Sequence, residues 1–270
     1  MDFSNKTVVI TGGASGIGAA LACKVAGLGA RVCIADRDLD KATEIAAEIG
    51  GIAAVCDVAR ESDIEALIAD VTDRLGAVDI FVSNAGLGRG EPTHAASATN
   101  ADWQLNWDVH VMAHVYAARH LLPQMIARGN GYFVNVASAA GLLNQIGDAA
   151  YSATKHAAVS FAESLAITHG DDGIGVSVDC PQYVATPLIN LTDADASQTE
   201  SLLTADDVAD AIVQGVSEGR FLILPHSVVQ TYAAQRGKDH DRWVHAMRML
   251  RAKAISTFGG ISIKDFYKLV

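Results

Sequence analysis

Lys6-Thr7-Val8-Val9-Ile10-Thr11-Gly12-Gly13-Ala14-Ser15-Gly16-Ile17-Gly18 is the stretch on which the fold turns. Lys6 to Ile10 reads as a short apolar strand, of the kind buried on both faces of a parallel sheet. Glycines follow at once, and Ala19-Ala20-Leu21-Ala22-Cys23-Lys24-Val25 then reads as a helix. A strand, a tight glycine turn and a helix N-terminus together make an anion site. Unpaired N–H groups of the first helical turn and the positive end of the helix dipole point at a phosphate. Glycine removes the Cβ that would hold the ligand away. The spacing is G-x-x-x-G-x-G, not the G-x-G-x-x-G of the general dinucleotide fingerprint. Read alone, the turn fits a structural role as well as a pyrophosphate site.

The next strand decides between them. Ala30-Arg31-Val32-Cys33-Ile34-Ala35 ends in Asp36, about 20 residues after the glycines, where an acidic side chain accepts from the adenosine ribose hydroxyls. The same carboxylate repels a 2′-phosphate, which predicts NAD rather than NADP. Arg37 follows directly and is the residue that softens this preference.

Further out, strand and helix patterns alternate, which argues for a parallel sheet with helices on both sides. Leu39 to Ile49 reads as a helix. Ile52 to Cys56 reads as a strand ending at Asp57-Val58. Ser62 with Glu65 resembles a capping box, and Ile64, Leu67, Ile68, Val71 and Leu75 follow with helical period. Asp79 to Val82 is a strand that ends at Ser83-Asn84-Ala85-Gly86. A helical stretch covers roughly Ala101 to Arg128, with Pro123 marking a kink or break near its end. Tyr132 to Val136 is a strand ending at Ala137-Ser138, and a helix then runs to about His169. Gly175 to Cys180 is another strand, Thr204 with Asp207 opens a helix, and Arg220 to Leu224 is the last strand. Residues 188–203 are polar and lack a period. They follow a strand end, so they read as a substrate lid, or else as an ordinary surface loop. Residues 226–270 form an apolar C-terminal extension with Trp243, Met247, Leu250, Phe258 and Phe266. That extension covers the pocket or a neighbouring subunit, or packs on the core.

Composition narrows the function classes. The chain has 270 residues, a formal charge of −11 and no basic stripe, which argues against a nucleic-acid partner. Cys23, Cys33, Cys56 and Cys180 are scattered, fall in predicted buried elements and read as small hydrophobes in a reducing compartment. Neither they nor the nine histidines show metal-ligand spacing, so no metal is expected. With no signal peptide and no run of 18 apolar residues, the expectation is a cytoplasmic protein with no membrane partner.

The chemistry is carried by Tyr151-Ser152-Ala153-Thr154-Lys155. Residues four apart share a helix face, so a phenol and an ammonium project side by side. A nearby cation favours the phenolate and lowers a tyrosine pKa from about 10 towards a working pH. Such a tyrosine can exchange a proton with an alcohol or carbonyl oxygen.

Together these segments resemble the short-chain dehydrogenase/reductase family in its compact single-domain form, over roughly residues 5 to 225. The glycine turn, Asn84-Ala85-Gly86, the serine and Y-x-x-x-K occur in the family's order. The resemblance implies an α/β fold, a doubly wound parallel sheet (Rossmann-like) in one domain spanning 1–270. It implies hydride transfer between NAD and a secondary alcohol or ketone. By the same resemblance, Ser138, thirteen residues before Tyr151, hydrogen-bonds the substrate oxygen. Tyr151 is the general acid/base. Lys155 holds the nicotinamide ribose and lowers the tyrosine pKa. Gly12, Ser15, Gly16, Ile17 and Gly18 cradle the pyrophosphate, and Asp36 and Arg37 meet the adenosine ribose. Asp57 and Val58 contact adenine. Asn84, Ala85 and Gly86 line the cofactor, and Pro181, Val184 and Thr186 fix the carboxamide. Members often pair through the long helix and the tyrosine-bearing helix, so a homodimer or homotetramer is expected.

Two positions depart from the family pattern. Seven residues after Trp103, where the family has a catalytic asparagine, stands His110. A histidine there either relays protons through a water or is a packed helix residue with no chemical role. Gln182 replaces the glycine that usually follows the proline. The alternative reading of the chain is an NAD-binding scaffold or sensor with weak or no turnover.

Overall fold

Strand β1 (Thr7–Thr11) is buried along its whole length, as a strand covered by helices on both faces must be. The computed structural model describes residues 1–91 and 93–270. After β1 come α1 (Gly16–Gly27), β2 (Arg31–Asp36), α2 (Leu39–Ile49), β3 (Ile52–Val55), α3 (Glu61–Leu75) and β4 (Ile80–Ser83). The second half holds α4 (Asn100–Trp107), α5 (Ala113–Ala127), β5 (Gly131–Val136), α6 (Ala149–His169), β6 (Ile174–Asp179), β7 (Tyr183–Ala185), α7 (Asp193–Ala196), β8 (Leu202–Thr204), α8 (Ala205–Ser217) and β9 (Leu222–Ile223). Helices α9 (Val228–Lys238), α10 (His240–Phe258) and α11 (Ile263–Phe266) close the chain.

The main sheet has the order β3-β2-β1-β4-β5-β6-β9, with every pairing parallel. The chain winds outward from β1 to β3, then returns to β4 on the other side of β1. That reversal opens a crevice at the carboxyl ends of β1 and β4, where such sheets bind ligands. Two apolar layers sandwich the sheet. One holds Phe81, Phe133, Leu121, Met125, Ala158 and Ala162, supplied by the sheet, α5 and α6. The other holds Ile10, Ile34, Leu21, Val25, Val208 and Ile212, supplied by the sheet, α1 and α8.

Local sequence signals explain most boundaries. Thr204 and Asp207 form the expected capping box at the start of α8. Ser62 and Glu65 do not form one. Helix α3 begins at Glu61 with Arg60 as its cap residue, so Ser62 already lies inside it. Asp63 does the local work instead, accepting the Asp57 N–H and pairing with Arg60. Pro123 neither breaks nor ends its helix, which continues to Ala127. The missing N–H falls about one turn from the end and frees a single carbonyl. Between α4 and α5 the stretch Asp108–Met112 takes a wider π-helical turn. Cys33, Cys56 and Cys180 are buried, but Cys23 is exposed because it lies on the outer side of α1.

The segment after Thr186 is built, with a short turn at Pro187–Ile189, then α7, then β8, which pairs in parallel with β7. Ile189, Leu191 and Ala196 pack with Leu202, Ala254, Phe266 and Tyr267 in a separate apolar cluster that joins this segment to the C-terminal helices. No helix among the described residues is long and apolar enough to cross a membrane.

Candidate active site

One cavity of about 1020 Å³ opens at the carboxyl edge of the sheet. The glycine turn forms its floor. Gly12 has φ +64°, and a Cβ there would sit 2.7 Å from Ala85 Cα, so only glycine permits this approach. Gly18 packs inward, where a Cβ would lie 2.4 Å from Gly12 O; its place is under the turn and not in the cavity wall. Asn84 ties the two strand ends together. Its Nδ2 donates to Thr11 O at 2.9 Å and Gly12 O at 3.1 Å, while its own N–H and that of Ala85 reach the Thr11 hydroxyl. Ser15 caps α1 without spending its side chain on the helix, and the first turn holds no acidic residue. That leaves an anion-ready helix end facing the cavity beside Gly16 and Ile17. Nothing in this turn fills the place of a pyrophosphate, so the residues fit a dinucleotide.

At the far end, the Asp36 carboxylate accepts the N–H groups of Ala14 at 3.1 Å and Asp38 at 3.0 Å. It is thereby fixed beside the glycine turn. Arg37, Asp57 and Val58 line the same end, and Ala85 and Gly86 continue towards the centre. Pro181, Val184 and Thr186 form the opposite wall, with Thr186 against Gly16.

Ser138, Tyr151 and Lys155 meet at the inner end. Ser138 leaves β5 and holds Ala140 N–H on its hydroxyl at 3.1 Å. Tyr151 and Lys155 rise from the first turns of α6, with Lys155 Nζ 5.6 Å from the centre of the Tyr151 ring. That ammonium donates to Val136 O at 3.0 Å. The electrostatics differ from those anticipated by the spacing. Burial pushes the Tyr151 phenol up to about 12, opposed by the Ser138 hydroxyl beside it. Burial pushes Lys155 down to about 8. Desolvation dominates both shifts, and at Lys155 it outweighs the upward pull of Cys180 and Asp179.

His110 lies behind the cavity wall, fully buried. Its Nε2 accepts the Leu87 N–H at 3.1 Å, so that atom carries no proton. Its Nδ1–H donates to Thr154 Oγ1 at 3.0 Å, and Thr154 passes its own proton to Ala150 O at 2.9 Å. The imidazole stands edge-on to the Tyr151 ring, 5.3 Å between centres. Burial first, then the Lys155 charge, drives its pKa well below the ordinary value.

Some supporting residues were not assigned a task from sequence. Asp148 caps α6 through the Tyr151 N–H at 3.1 Å and holds Gly90 N–H at 2.8 Å; an acidic residue just before a predicted helix is a readable signal for this. Glu91 accepts the Ala149 N–H at 3.1 Å. His226 accepts Gln182 N–H on Nδ1 and donates from Nε2 to Tyr183 O, both at 3.1 Å, bracing the turn where Gln182 replaces glycine. No local pattern could reveal a partner 44 residues away. Among the described residues no cluster of His, Cys, Asp or Glu could hold a metal.

Comparison with known proteins agrees with this geometry. A family profile described as short chain dehydrogenase matches residues 6–197. The 1-deoxy-11-beta-hydroxypentalenate dehydrogenase of Streptomyces exfoliatus is 32% identical over 254 residues, covering 91% of each chain. The cyclohexanol dehydrogenase of an Acinetobacter species is 33% identical over 192 residues, 69% of this chain and 76% of that one. A solved short chain dehydrogenase/reductase from Burkholderia phymatum, in complex with NAD, superposes with a TM-score of 0.80 at 28% identity, covering 89% of this chain and 96% of that one. A parallel sheet in this order, the glycine turn at its switch point and Ser138, Tyr151 and Lys155 in one cavity make the chain an oxidoreductase of the short-chain dehydrogenase/reductase family.

Proposed function

We propose that the protein is an NAD-dependent dehydrogenase of secondary alcohols, reversible to ketone reduction, with Tyr151 as its general acid/base. The observation that carries this reading is the meeting of the Ser138 hydroxyl, the Tyr151 phenol and the Lys155 ammonium at the inner end of a cavity that starts at an anion-ready helix terminus. The nicotinamide, when bound, supplies the hydride chemistry. The chain supplies alignment and proton management.

Ser138 holds the substrate oxygen. Tyr151 takes the hydroxyl proton as the alcohol is oxidised and returns it in the reverse direction. Lys155 keeps positive charge next to the developing phenolate and turns its remaining N–H groups to the nicotinamide ribose. Asp36, anchored by two backbone N–H groups, receives the adenosine ribose hydroxyls, and its charge opposes a 2′-phosphate. Leucine 87's N–H and Thr154 occupy both nitrogens of His110, which favours a positioning task over proton relay.

Two measurements test the proposal. A scan of secondary alcohols with NAD, followed by absorbance of the reduced cofactor, should find turnover, and Tyr151→Phe should lower kcat by about 10²–10⁴ while NAD affinity stays within a few fold. Normal turnover by that variant would remove the tyrosine from the proton path. Steady-state comparison of the two cofactors should favour NAD; a preference for NADP would refute the role given to Asp36. Cofactor binding with no turnover of any alcohol would instead support a sensor.

A further inference from the structure

The C-terminal segment is opposite in charge to the rest of the chain. Residues 226–270 hold eight Lys and Arg against three Asp and Glu, whereas residues 1–225 hold twelve against twenty-eight. This cationic segment is fastened over the cavity. Ala254, Phe266 and Tyr267 pack with Tyr183, Ala185 and Leu202. Ile261 closes so tightly on Gly147 that a Cβ there would meet its methyl group at 2.5 Å. The result is that Arg251, Ile255, Ile261 and Lys264 form one wall of the cavity.

The cations of this wall are not ion-paired. Glu91 and Asp148, which line the same cavity, are held by backbone donors instead: Glu91 by Ala149 N–H, Asp148 by Tyr151 and Gly90 N–H. Asp265, next to Lys264, is paired with Lys268 at 2.7 Å. Arg251 and Lys264 themselves have no carboxylate partner among the described residues. Leu105, Val109 and Ile255 add apolar surface to the same cavity. The cavity thus combines proton-exchanging hydroxyls, apolar side chains and two exposed cations with no carboxylate partner among the described residues.

We infer that the substrate is a hydroxy acid: an apolar secondary alcohol that carries a carboxylate away from the carbinol carbon, received by Arg251 and Lys264. This rests on the dehydrogenase reading and names the substrate class of the same site. The planar guanidinium of Arg251 matches a carboxylate with two parallel N–H bonds. In a chain this acidic, a free anion is repelled by most of the surface and drawn to these two cations, which raises its local concentration. Both cations are solvent-exposed, so salt weakens the attraction.

The test pairs each acid with its uncharged ester. The purified protein is assayed with NAD on 3-hydroxybutanoate and 4-hydroxycyclohexanecarboxylate and on the methyl ester of each. The expected result is kcat/KM at least tenfold higher for the acids at low salt, with the ratio falling as salt is raised. The double variant Arg251→Gln/Lys264→Gln should bring the acid-to-ester ratio to about one. Equal or better turnover of the esters by the unaltered protein overturns the inference while leaving the dehydrogenase reading in place. So does a double variant in which KM for NAD rises equally with acid and ester, since the cations would then serve the cofactor. Calorimetry with the reduced cofactor present decides the point without turnover. Saturable binding of the acids, lost in the double variant, supports it; no binding of either acid refutes it.

Discussion

Asp179, at the end of β6, has no exposed surface, and neither of its carboxyl oxygens finds a hydrogen-bond partner among the described residues. Burial raises its pKa well above the ordinary carboxylate value, with the Lys155 charge pulling only partly the other way. The native state therefore holds a proton on Asp179 at pH values where the unfolded chain, ionising at about 3.9, has lost it. A raised native pKa on an acid means that stability falls as pH rises above the unfolded pKa, until the folded group itself ionises. Asp179→Asn is neutral in both states and escapes this penalty. The variant should be more stable than the unaltered protein by a margin that grows by up to about 1.4 kcal/mol for each pH unit above about 4. Melting temperatures of both proteins at pH 5 and pH 8 measure it; a margin that is the same at both would mean Asp179 is ionised in the fold. Tyr151 teaches the same lesson at the site. Spacing on a helix tells which charges are neighbours, but the direction of a pKa shift also depends on burial, and burial is a property of the whole packed chain.

His110 joins three elements: the loop after β4 through Leu87, the π-helical turn that carries it, and the first turns of α6 through Thr154. His110→Ala would leave the Leu87 N–H without its acceptor and free the edge that faces the Tyr151 ring. Loss of one such buried bond costs about 1–3 kcal/mol, and kcat should fall while KM for NAD changes little. Because the imidazole is held neutral far below its usual pKa, the variant's pH–rate profile should keep the midpoint of the unaltered protein. A displaced midpoint would show that the ring titrates during turnover and relays protons after all. At this scale the sequence was informative where a signal is local. Thr204 and Asp207 mark a helix start because the two residues that cap it are three apart. Asn84 and the glycines mark a turn because no larger residue fits between Gly12 and Ala85. The π-helical turn, the β7–β8 pair and the bracing of Gln182 by His226 were not legible, since each depends on a partner brought in by the fold.

Across the whole molecule, the alternation of apolar strands and helices was enough to anticipate a parallel sheet with helices on both sides, because the central strands β1, β4 and β5 are buried along their whole length. The position of residues 226–270 was not, because their apolar residues carry no address: only the folded chain shows that they close on Tyr183, Ala185 and Leu202. The fold also buries three histidines as neutral rings, His110 and His114 one turn apart and His226 far along the chain. Burial pushes His114 down to about 3 and His226 down to about 4, and holds His110 well below its usual value. In the unfolded chain each gains a proton near pH 6.5. A lowered native pKa on a base means that stability is complete above pH 6.5 and is lost as pH falls, because only the unfolded state takes up protons. Each histidine contributes a slope of up to about 1.4 kcal/mol per pH unit, and Asp179 offsets about one of the three. The net loss between pH 6.5 and pH 5 is then about 3 kcal/mol, a large part of a typical domain's 5–15 kcal/mol. Urea midpoints should therefore drop steeply below pH 6, with nearly two protons taken up on unfolding at pH 5. A midpoint unchanged down to pH 5, or histidine proton resonances titrating near pH 6.5 in the folded protein, would show that these rings are hydrated and that the packing around His110, His114 and His226 is looser than the structure has it.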